Sequence, residues 1–513
     1  MTVLERPAPG ATAGLDDAPP ERAFQRLHPG TMAVDAVERI GRTAWILVVA
    51  FLFGSVQDTG IAASDKVAYL AAALGFFGVG GSVYRYLTIR YAVTEDRVCV
   101  RSGILSTRDR AVPIDRIQSI ELTRTLLERW IGLASLKIDN AASGMAELRL
   151  SCLGLAHATE LRAEINRRRS ADPDAQDAAL DTAPETLPVY TASLPDLVAY
   201  GATDNRVGVA IGAVSGAYVT FKDQILDYGG QWFDLAAEVD ATLALLIVLA
   251  FAAFCMGAGW LLSILHSVVT YYGFRLYWED DELRRGYGLL TKVDKSVPMR
   301  RIQVVRIEAP LLRRLLGRCS VFEETAGDFA AGASGEPLCP YLARSRTDEI
   351  TRLVFPHFRW SALVWQRPSP RVVLQALPAS ALVVAAAAAG LFWWQGWPGW
   401  LTLPIGLAVV LLHAVWSYRV AACAADADFV VIRAGALRRR IWIVPKPRVQ
   451  AVFVSRSWVQ RRLGLANLSI DTAGAFSLSP PKIRGLPLAA ALALQNSLSR
   501  AAHEAGDWTP DGL

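Results

Sequence analysis

A carboxylate, a guanidinium and an amide recur at fixed spacing three times along the chain, and they are the first residues to weigh for chemistry. The first set is Asp96, Gly103, Val112-Pro113, Arg116, Gln118, Arg129 and Gly132. The second is Asp281, Gly288, Val297-Pro298, Arg301, Gln303, Arg314 and Gly317. The third is Asp428, Gly435, Val444-Pro445, Arg448, Gln450, Arg461 and Gly464. In each, the Pro lies ten residues after the first Gly and the Arg three after the Pro. The Gln follows two further on, and the second Gly fourteen beyond it. Such a repeat is one structural unit used several times. Arg and Gln at a constant place can mark a binding surface, because a guanidinium fork matches carboxylate and phosphate. The plainer reading is structural: Gln satisfies backbone groups at a strand irregularity, and Arg pairs with the recurring Asp or a helix end. Recurrence in every copy favours the structural role.

A second candidate feature is basic. Between the first Gly and the Val-Pro stand Arg108 and Arg110, then Lys292 and Lys295, then Arg438, Arg439 and Arg440. Anionic bilayer surfaces attract juxtamembrane basic residues by about 1 kcal/mol each, so these are candidate lipid-headgroup contacts. Positive-inside bias would place the same residues there, and the dense basic signature of phosphoinositide binding is absent.

Other chemistry is not indicated. There is no nucleophile elbow, phosphate-binding loop, zinc-protease motif or dinucleotide fingerprint. The six His are dispersed. His266 and His413 share a repeat position late in an apolar span, where an ionisable group is a functional candidate by default; the first copy has Gly81 there. The cysteines Cys99, Cys152, Cys255, Cys319, Cys339 and Cys423 form no C-x-x-C pair. They read as small buried hydrophobes in a reducing compartment. No catalytic residue, metal site or cofactor is assigned.

The elements that would position these residues come in two kinds. Hydrophobic residues make up 52% of the chain while 20% are charged, a mixture that fits alternating apolar and charged blocks. Apolar runs appear in pairs: Thr43–Val56 with Val67–Tyr84, Val207–Phe221 with Ala241–Leu265, and Val372–Trp394 with Trp400–Ser417. A span needs roughly 20 apolar residues, so Thr43–Val56 and Val207–Phe221 are short for crossing. The segments inside the pairs are acidic or uncharged, with Asp58 and Asp65 in the first and Asp223, Asp227, Asp234, Glu238 and Asp240 in the second. Arg-rich segments follow every pair. Retention of positive charge inside places both termini and all three long segments in the cytoplasm. Trp393, Trp394, Trp397 and Trp400 sit where an aromatic belt is expected. The net charge of +5 does not call for nucleic acid.

Each long segment alternates as half-buried strands do, for example Val98 and Val100, then Ile120 and Leu122. The first Gly marks a hairpin, the Pro is expected to begin a new strand, and Gly132, Gly317 and Gly464 are expected as left-handed helix caps. Terminal helices are expected over residues such as Ala156–Arg167 and Pro487–Ala501.

The stretches Val112–Gln118, Val297–Gln303 and Val444–Gln450, together with Leu126–Leu136, resemble bacterial pleckstrin-homology domains. The three-copy layout resembles YdbS/YdbT-type multi-pass membrane proteins over nearly the whole chain, and Arg26-Leu27-His28-Pro29 fits that resemblance. In the third copy, Ser457-Trp458-Val459-Gln460 departs from the pattern, which is expected to weaken its turn. The implied fold is an α/β membrane protein (α+β). Transmembrane helical hairpins alternate with three cytoplasmic PH-like β-sandwich or barrel domains, each closed by a C-terminal helix.

The expected divisions are a disordered tail (1–21), a first transmembrane pair (22–85), a first PH-like domain (86–169) and a disordered linker (170–193). A second pair (194–270) and domain (271–357), a third pair (358–417) and domain (418–503), and a C-terminal tail (504–513) follow. The functional expectation is a non-enzymatic scaffold in the bacterial cytoplasmic (inner) membrane. It would bind protein partners or anionic lipid headgroups, including a smaller PH-like membrane protein of the same family, and no nucleic acid. The resemblance points to envelope stress or antimicrobial tolerance. The alternatives are an accessory subunit of a transporter or channel, which the nearly uncharged spans disfavour, and a lipid-modifying enzyme, for which no acid–base pair is present.

Overall fold

Alternating strands with one apolar face must bury that face against a second layer, and each copy does so with two antiparallel sheets and a helix. The computed structural model describes residues 24–41, 78–94, 96–103, 107–114, 117–140, 148–169, 187–204, 241–279, 281–325, 336–395, 402–472 and 480–505. The tail 1–21, the runs Thr43–Val56 and Val207–Phe221, most of Val67–Tyr84, the linker residues 170–186, the Trp397 and Trp400 turn, and Arg116 lie outside them. The chain divides into two units, residues 1–185 with 291–296, and residues 186–290 with 297–513.

In the first unit, β1 (Gln25–Arg26), β2 (Arg90–Val93), β3 (Arg97–Ser102) and β4 (Arg108–Pro113) form one sheet in that order. The second layer is β5 (Ile117–Arg124), β6 (Leu133–Asn140) and β7 (Leu148–Gly154), followed by the helix Leu155–Arg169. Leu27, Tyr91, Val98 and Val112 from the first layer meet Ile120, Leu136, Ile138 and Leu150 from the second, with Ala158 and Ile165 of the helix.

In the second unit, β8 (Tyr190–Thr191), β9 (Arg275–Glu279) and β10 (Glu282–Tyr287) are hydrogen-bonded in series. β11 (Lys292–Pro298) places its residues Lys292–Ser296 in the first unit, antiparallel to β5. The strands β12 (Ile302–Pro310), β13 (Arg318–Thr325), β14 (Pro337–Ala343), β15 (Trp365–Gln366), β16 (Ala422–Ala425), β17 (Phe429–Ala434) and β18 (Arg438–Pro445) follow. They form one sheet ordered β14-β13-β12-β18-β17-β16-β15. The last sheet is β19 (Val449–Ser455), β20 (Leu465–Thr472) and β21 (Lys482–Pro487), covered by the helix Leu488–Ala505. Val430, Ile432, Trp442 and Val444 pack there against Leu468, Ile470, Ile483 and Leu498.

The sheets cross the boundaries that the sequence suggests. The second layer of one copy is hydrogen-bonded to the first layer of the next, β5 to β11 and β12 to β18. Both joints have one register. Ile120, Glu121 and Leu122 face Ser296, Lys295 and Asp294; Val305, Arg306 and Ile307 face Ile443, Trp442 and Ile441. The repeat spacing carries each pair of the first set onto the second.

Three further expectations are corrected. β1, β8 and β15 precede the helical segments, so residues assigned to 22–85, 170–193 and 358–417 belong partly to the sheets. Each short strand finds its backbone partners on the strand after the helices, β2, β9 or β16. The Pro ends a strand instead of beginning one. Pro298 and Pro445, at φ −63 and −62, cap the tight turns Met299–Arg301 and Lys446–Arg448, where a missing N–H and a fixed φ are tolerated. Ser457 does not weaken the third short helix, Trp458–Leu463. It makes a capping box with Gln460, as Thr125 does with Glu128 before Leu126–Ile131, so both helix starts satisfy orphan N–H donors.

Among the described residues, two helices are long and apolar enough to cross a membrane, Ala253–Tyr271 and Thr402–Val420, and Ser380–Trp393 is a shorter apolar helix. The helix Ala241–Tyr271 crosses Leu194–Thr203 closely at Gly201, where an added Cβ would lie 2.6 Å from Ile264 Cα. Ser263 and Ser267 hydroxyls donate to the Gly201 and Leu197 carbonyls at 3.0 and 2.8 Å.

Candidate functional site

The recurring residues fall into distinct places. Asp96, Asp281 and Asp428 turn the hairpin ahead of the first Gly, and their carbonyls accept from Ile114, Met299 and Lys446 N–H at 2.8–3.0 Å. Gly103, Gly288 and Gly435 have φ of 102, 112 and 94 at the next turn, and Gly132, Gly317 and Gly464 have φ of 76, 66 and 69 after the short helix. Gln118, Gln303 and Gln450 each sit where the register shifts, between Ile117 and Ser119, Ile302 and Val304, and Val449 and Ala451. A bulge re-aims the strand at the same point in every copy. Gln303 Nε2 reaches back to the Arg301 carbonyl at 3.4 Å.

The Arg residues do not share one environment. Arg448 lies over the Phe355 ring at 5.8 Å with a buried Nη1 lacking a hydrogen bond, and burial lowers its pKa. Arg314 donates to the Ala436 carbonyl at 3.2 Å and lies over Trp416. Arg129 and Arg461 are exposed.

The basic turn residues divide as well. Arg108 and Arg110 are exposed on β4. Lys292 is exposed, whereas Lys295 is buried opposite Glu121 in the β5–β11 joint. In the β12–β18 joint, Glu308 forms ion pairs with two arginines of β18, Arg440 Nε at 2.9 Å and Arg438 Nε at 3.4 Å. Arg306 Nη1 lies 3.2 Å from the same carboxylate and its Nε 3.3 Å from Glu324. Arg438 also pairs with Asp204 at 2.9 Å. Burial pushes the Arg439 and Arg440 guanidinium groups below their ordinary range and raises the Glu324 carboxyl.

Sequence reasoning passed over one position, the third residue of the short helix. Glu128 accepts from the Ser135 hydroxyl at 2.5 Å. The equivalent Arg313, only 2% exposed, donates to Ser320, to Thr203 Oγ1 and to the Tyr200 carbonyl at 3.1 Å. The equivalent Gln460 donates to Asn467 at 2.6 Å and Gln375 at 3.1 Å. In the second and third copies this residue ties the sheet to a helix outside it. Its identity changes from Glu to Arg to Gln, which hides it from a search for identical residues.

The third copy holds the cleft best suited to a ligand, with a volume of about 830 Å³. One wall is helical, with Val372, Val409, His413 and Tyr418; the other carries Arg438, Arg440, Lys482 and Arg484 with Trp442. Trp442 Nε1 is buried without a hydrogen-bond partner. A lining that mixes Val372, Val409 and Val410 with four cationic side chains fits an amphiphilic anion. His413 is exposed on the helical wall. Among the described residues, no group of three or more His, Cys, Asp or Glu side chains could hold a metal ion.

Comparison with known proteins fits this architecture. The transmembrane protein YdbT of Bacillus subtilis (strain 168) is 23% identical over 464 residues, covering 87% of this chain and 92% of that protein. No solved structure matches the chain. The bacterial PH domain model matches three times, over residues 46–169, 233–356 and 372–502. Those matches take in most of the chain and coincide with the three copies of the repeat, so the protein belongs to the bacterial PH domain family.

Proposed function

We propose that the chain is a non-enzymatic, membrane-anchored scaffold whose PH-like modules engage anionic lipid headgroups at the inner face of the cytoplasmic membrane. The observation that carries the reading is the cleft in the third copy, which Lys482 and Arg484 line together with Val372 and Val409. A lipid fits both surfaces at once, with acyl chains along Val372 and Val409 and a phosphate among the cations. Membrane placement is supported by the two spanning-length apolar helices. Their side chains face outward, including Leu262 at 64% and Leu412 at 70% exposure, as suits acyl surroundings. YdbT, a transmembrane protein by name, supports the same placement. The Arg-rich modules belong inside by charge bias.

Arg438 and Arg440 already share Glu308, so in this reading the headgroup is held chiefly by Lys482 and Arg484, with Arg108 and Arg110 as a separate exposed basic pair. The test is native mass spectrometry of the full chain purified in detergent, titrated with phosphatidylglycerol or phosphatidylcholine. The anionic lipid is expected to be retained preferentially. Lys482→Ser with Arg484→Ser is expected to reduce that preference by roughly 2 kcal/mol, a factor of about 30, at about 1 kcal/mol per charge. Equal retention of the two lipids by the unaltered chain would leave protein partners as the ligand of these modules.

A further inference from the structure

The joint that links consecutive copies is left half made at each end of the repeat. By position in the repeat, β4 is the equivalent of β11 and β18, and β19 is the equivalent of β5 and β12. Inside the chain, β5 carries β11 and β12 carries β18. Among the described residues, β4 and β19 each keep one edge with no strand on it.

Exposure tracks this difference. Glu121 and Lys295, facing each other in the first joint, are 8% and 3% exposed. Arg306 and Trp442, at the same register position in the second, are 2% and 4% exposed. Their equivalents on the open edges are Phe453, 57% exposed, and Arg110, also exposed. Charge often protects an edge strand from pairing, and β4 carries Arg108, Asp109 and Arg110. Yet β18, which does pair, is headed by Arg438, Arg439 and Arg440. Basic residues on this strand therefore do not prevent the joint.

We propose that β4 of one chain pairs antiparallel with β19 of a second copy, head to tail, in the register of the two internal joints. That register sets Ala111, Arg110, Asp109 and Arg108 opposite Val452, Phe453, Val454 and Ser455. Arg110 then faces an aromatic ring, as Arg306 faces Trp442 in the reverse sense. A guanidinium over such a ring is attracted by its electron-rich face. The contact joins unlike surfaces, so it extends into rows or closes into a ring. It stands independently of lipid binding.

The test uses full-length chains in detergent, one carrying Arg108→Cys and the other Ser455→Cys. Mild oxidation of the mixture is expected to give a disulfide-linked dimer, and neither variant alone is expected to give it. Pairing Arg108→Cys with Ala451→Cys, about 13 Å out of register at roughly 3.3 Å per residue, is expected to give none. In the otherwise unaltered chain, Phe453→Lys is expected to weaken association at least tenfold in sedimentation, and adding Arg110→Glu to restore it. Recovery in the double variant excludes misfolding as the cause. No dimer in the first mixture, equal cross-linking through Ala451→Cys, or a monomer in sedimentation at every concentration overturns the proposal.

Discussion

Glu308 and Arg440 belong to different copies of the repeat, yet Glu308 Oε1 lies 2.9 Å from Arg440 Nε across the β12–β18 joint. The Glu308 side chain is 5% exposed and Arg306 2%, so three guanidinium groups converge on a carboxylate that water barely reaches. Removing one partner of a buried pair leaves the others desolvated and unmatched, at about 3–5 kcal/mol. Glu308→Ala is expected to lower the melting temperature of the purified chain and to accelerate amide exchange in β12 and β18. The exposed pair of Arg352 with Asp348, at 57% and 41% exposure, is the comparison. Asp348→Ala is expected to change stability by less than about 1 kcal/mol. Similar losses from the two substitutions would contradict the account of the joint.

Glu324 gives the joint a pH dependence of known sign. Burial raises its carboxyl pKa, and Arg306 offsets only part of that rise. With the folded value above the unfolded one, the native state binds the proton more tightly, so stability falls as pH rises between the two values. The penalty is absent below the unfolded value and complete above the folded one. Glu324→Gln is therefore expected to stabilise the chain near neutral pH and to make little difference in acid. Denaturant melts at several pH values check this; a substitution that destabilises at neutral pH reverses the sign and sinks the argument.

The features legible in the sequence are those that one residue imposes locally. Gly435 is needed because φ is 94 there, and Gln450 stands at a bulge found at the same place in every copy. The joints were not legible, because alternation tells which face of β12 is buried and not which strand lies on its edge. A signal existed in retrospect: Arg306 and Glu308 interrupt an apolar strand, and Arg438, Arg439 and Arg440 head the strand that meets it. The cleft was half legible. Arg438 and Arg440 stood among the basic turn residues, whereas Lys482 and Arg484 arrive from the far end of the module by tertiary folding.

The position shared by Glu128, Arg313 and Gln460 allows a prediction from one copy to another. Gln460 closes its capping box and bonds Asn467, so Glu128→Gln is expected to retain the box with Thr125 and lose less than about 1 kcal/mol. Glu128→Leu removes the acceptor used by Thr125 N–H and Ser135, and is expected to lose about 2–3 kcal/mol from two orphaned donors. Thermal melts of the two variants should separate clearly. Equal melting temperatures would mean that the buried carboxylate holds nothing in place.

The two classes of repeat glycine should respond differently to a single added methyl group. At Gly464, φ is 69 and a Cβ would meet no atom within 4 Å, so Gly464→Ala meets only the left-handed penalty of about 1–2 kcal/mol. At Gly435, φ is 94 and a Cβ would stand 2.0 Å from the Arg438 carbonyl oxygen. That oxygen belongs to backbone at the head of β18, so it can move away only if the hairpin opens. Opening it would shift Arg438 and Arg440 from Glu308 and disturb the joint as well as the turn. Gly435→Ala is expected to lose clearly more stability than Gly464→Ala, and to raise amide exchange on β12 as well as β18. Gly464→Asn, which tolerates the left-handed conformation better, is expected to lose less than Gly464→Ala. If Gly435→Ala melts with Gly464→Ala and leaves β12 protected, the hairpin does not govern the joint.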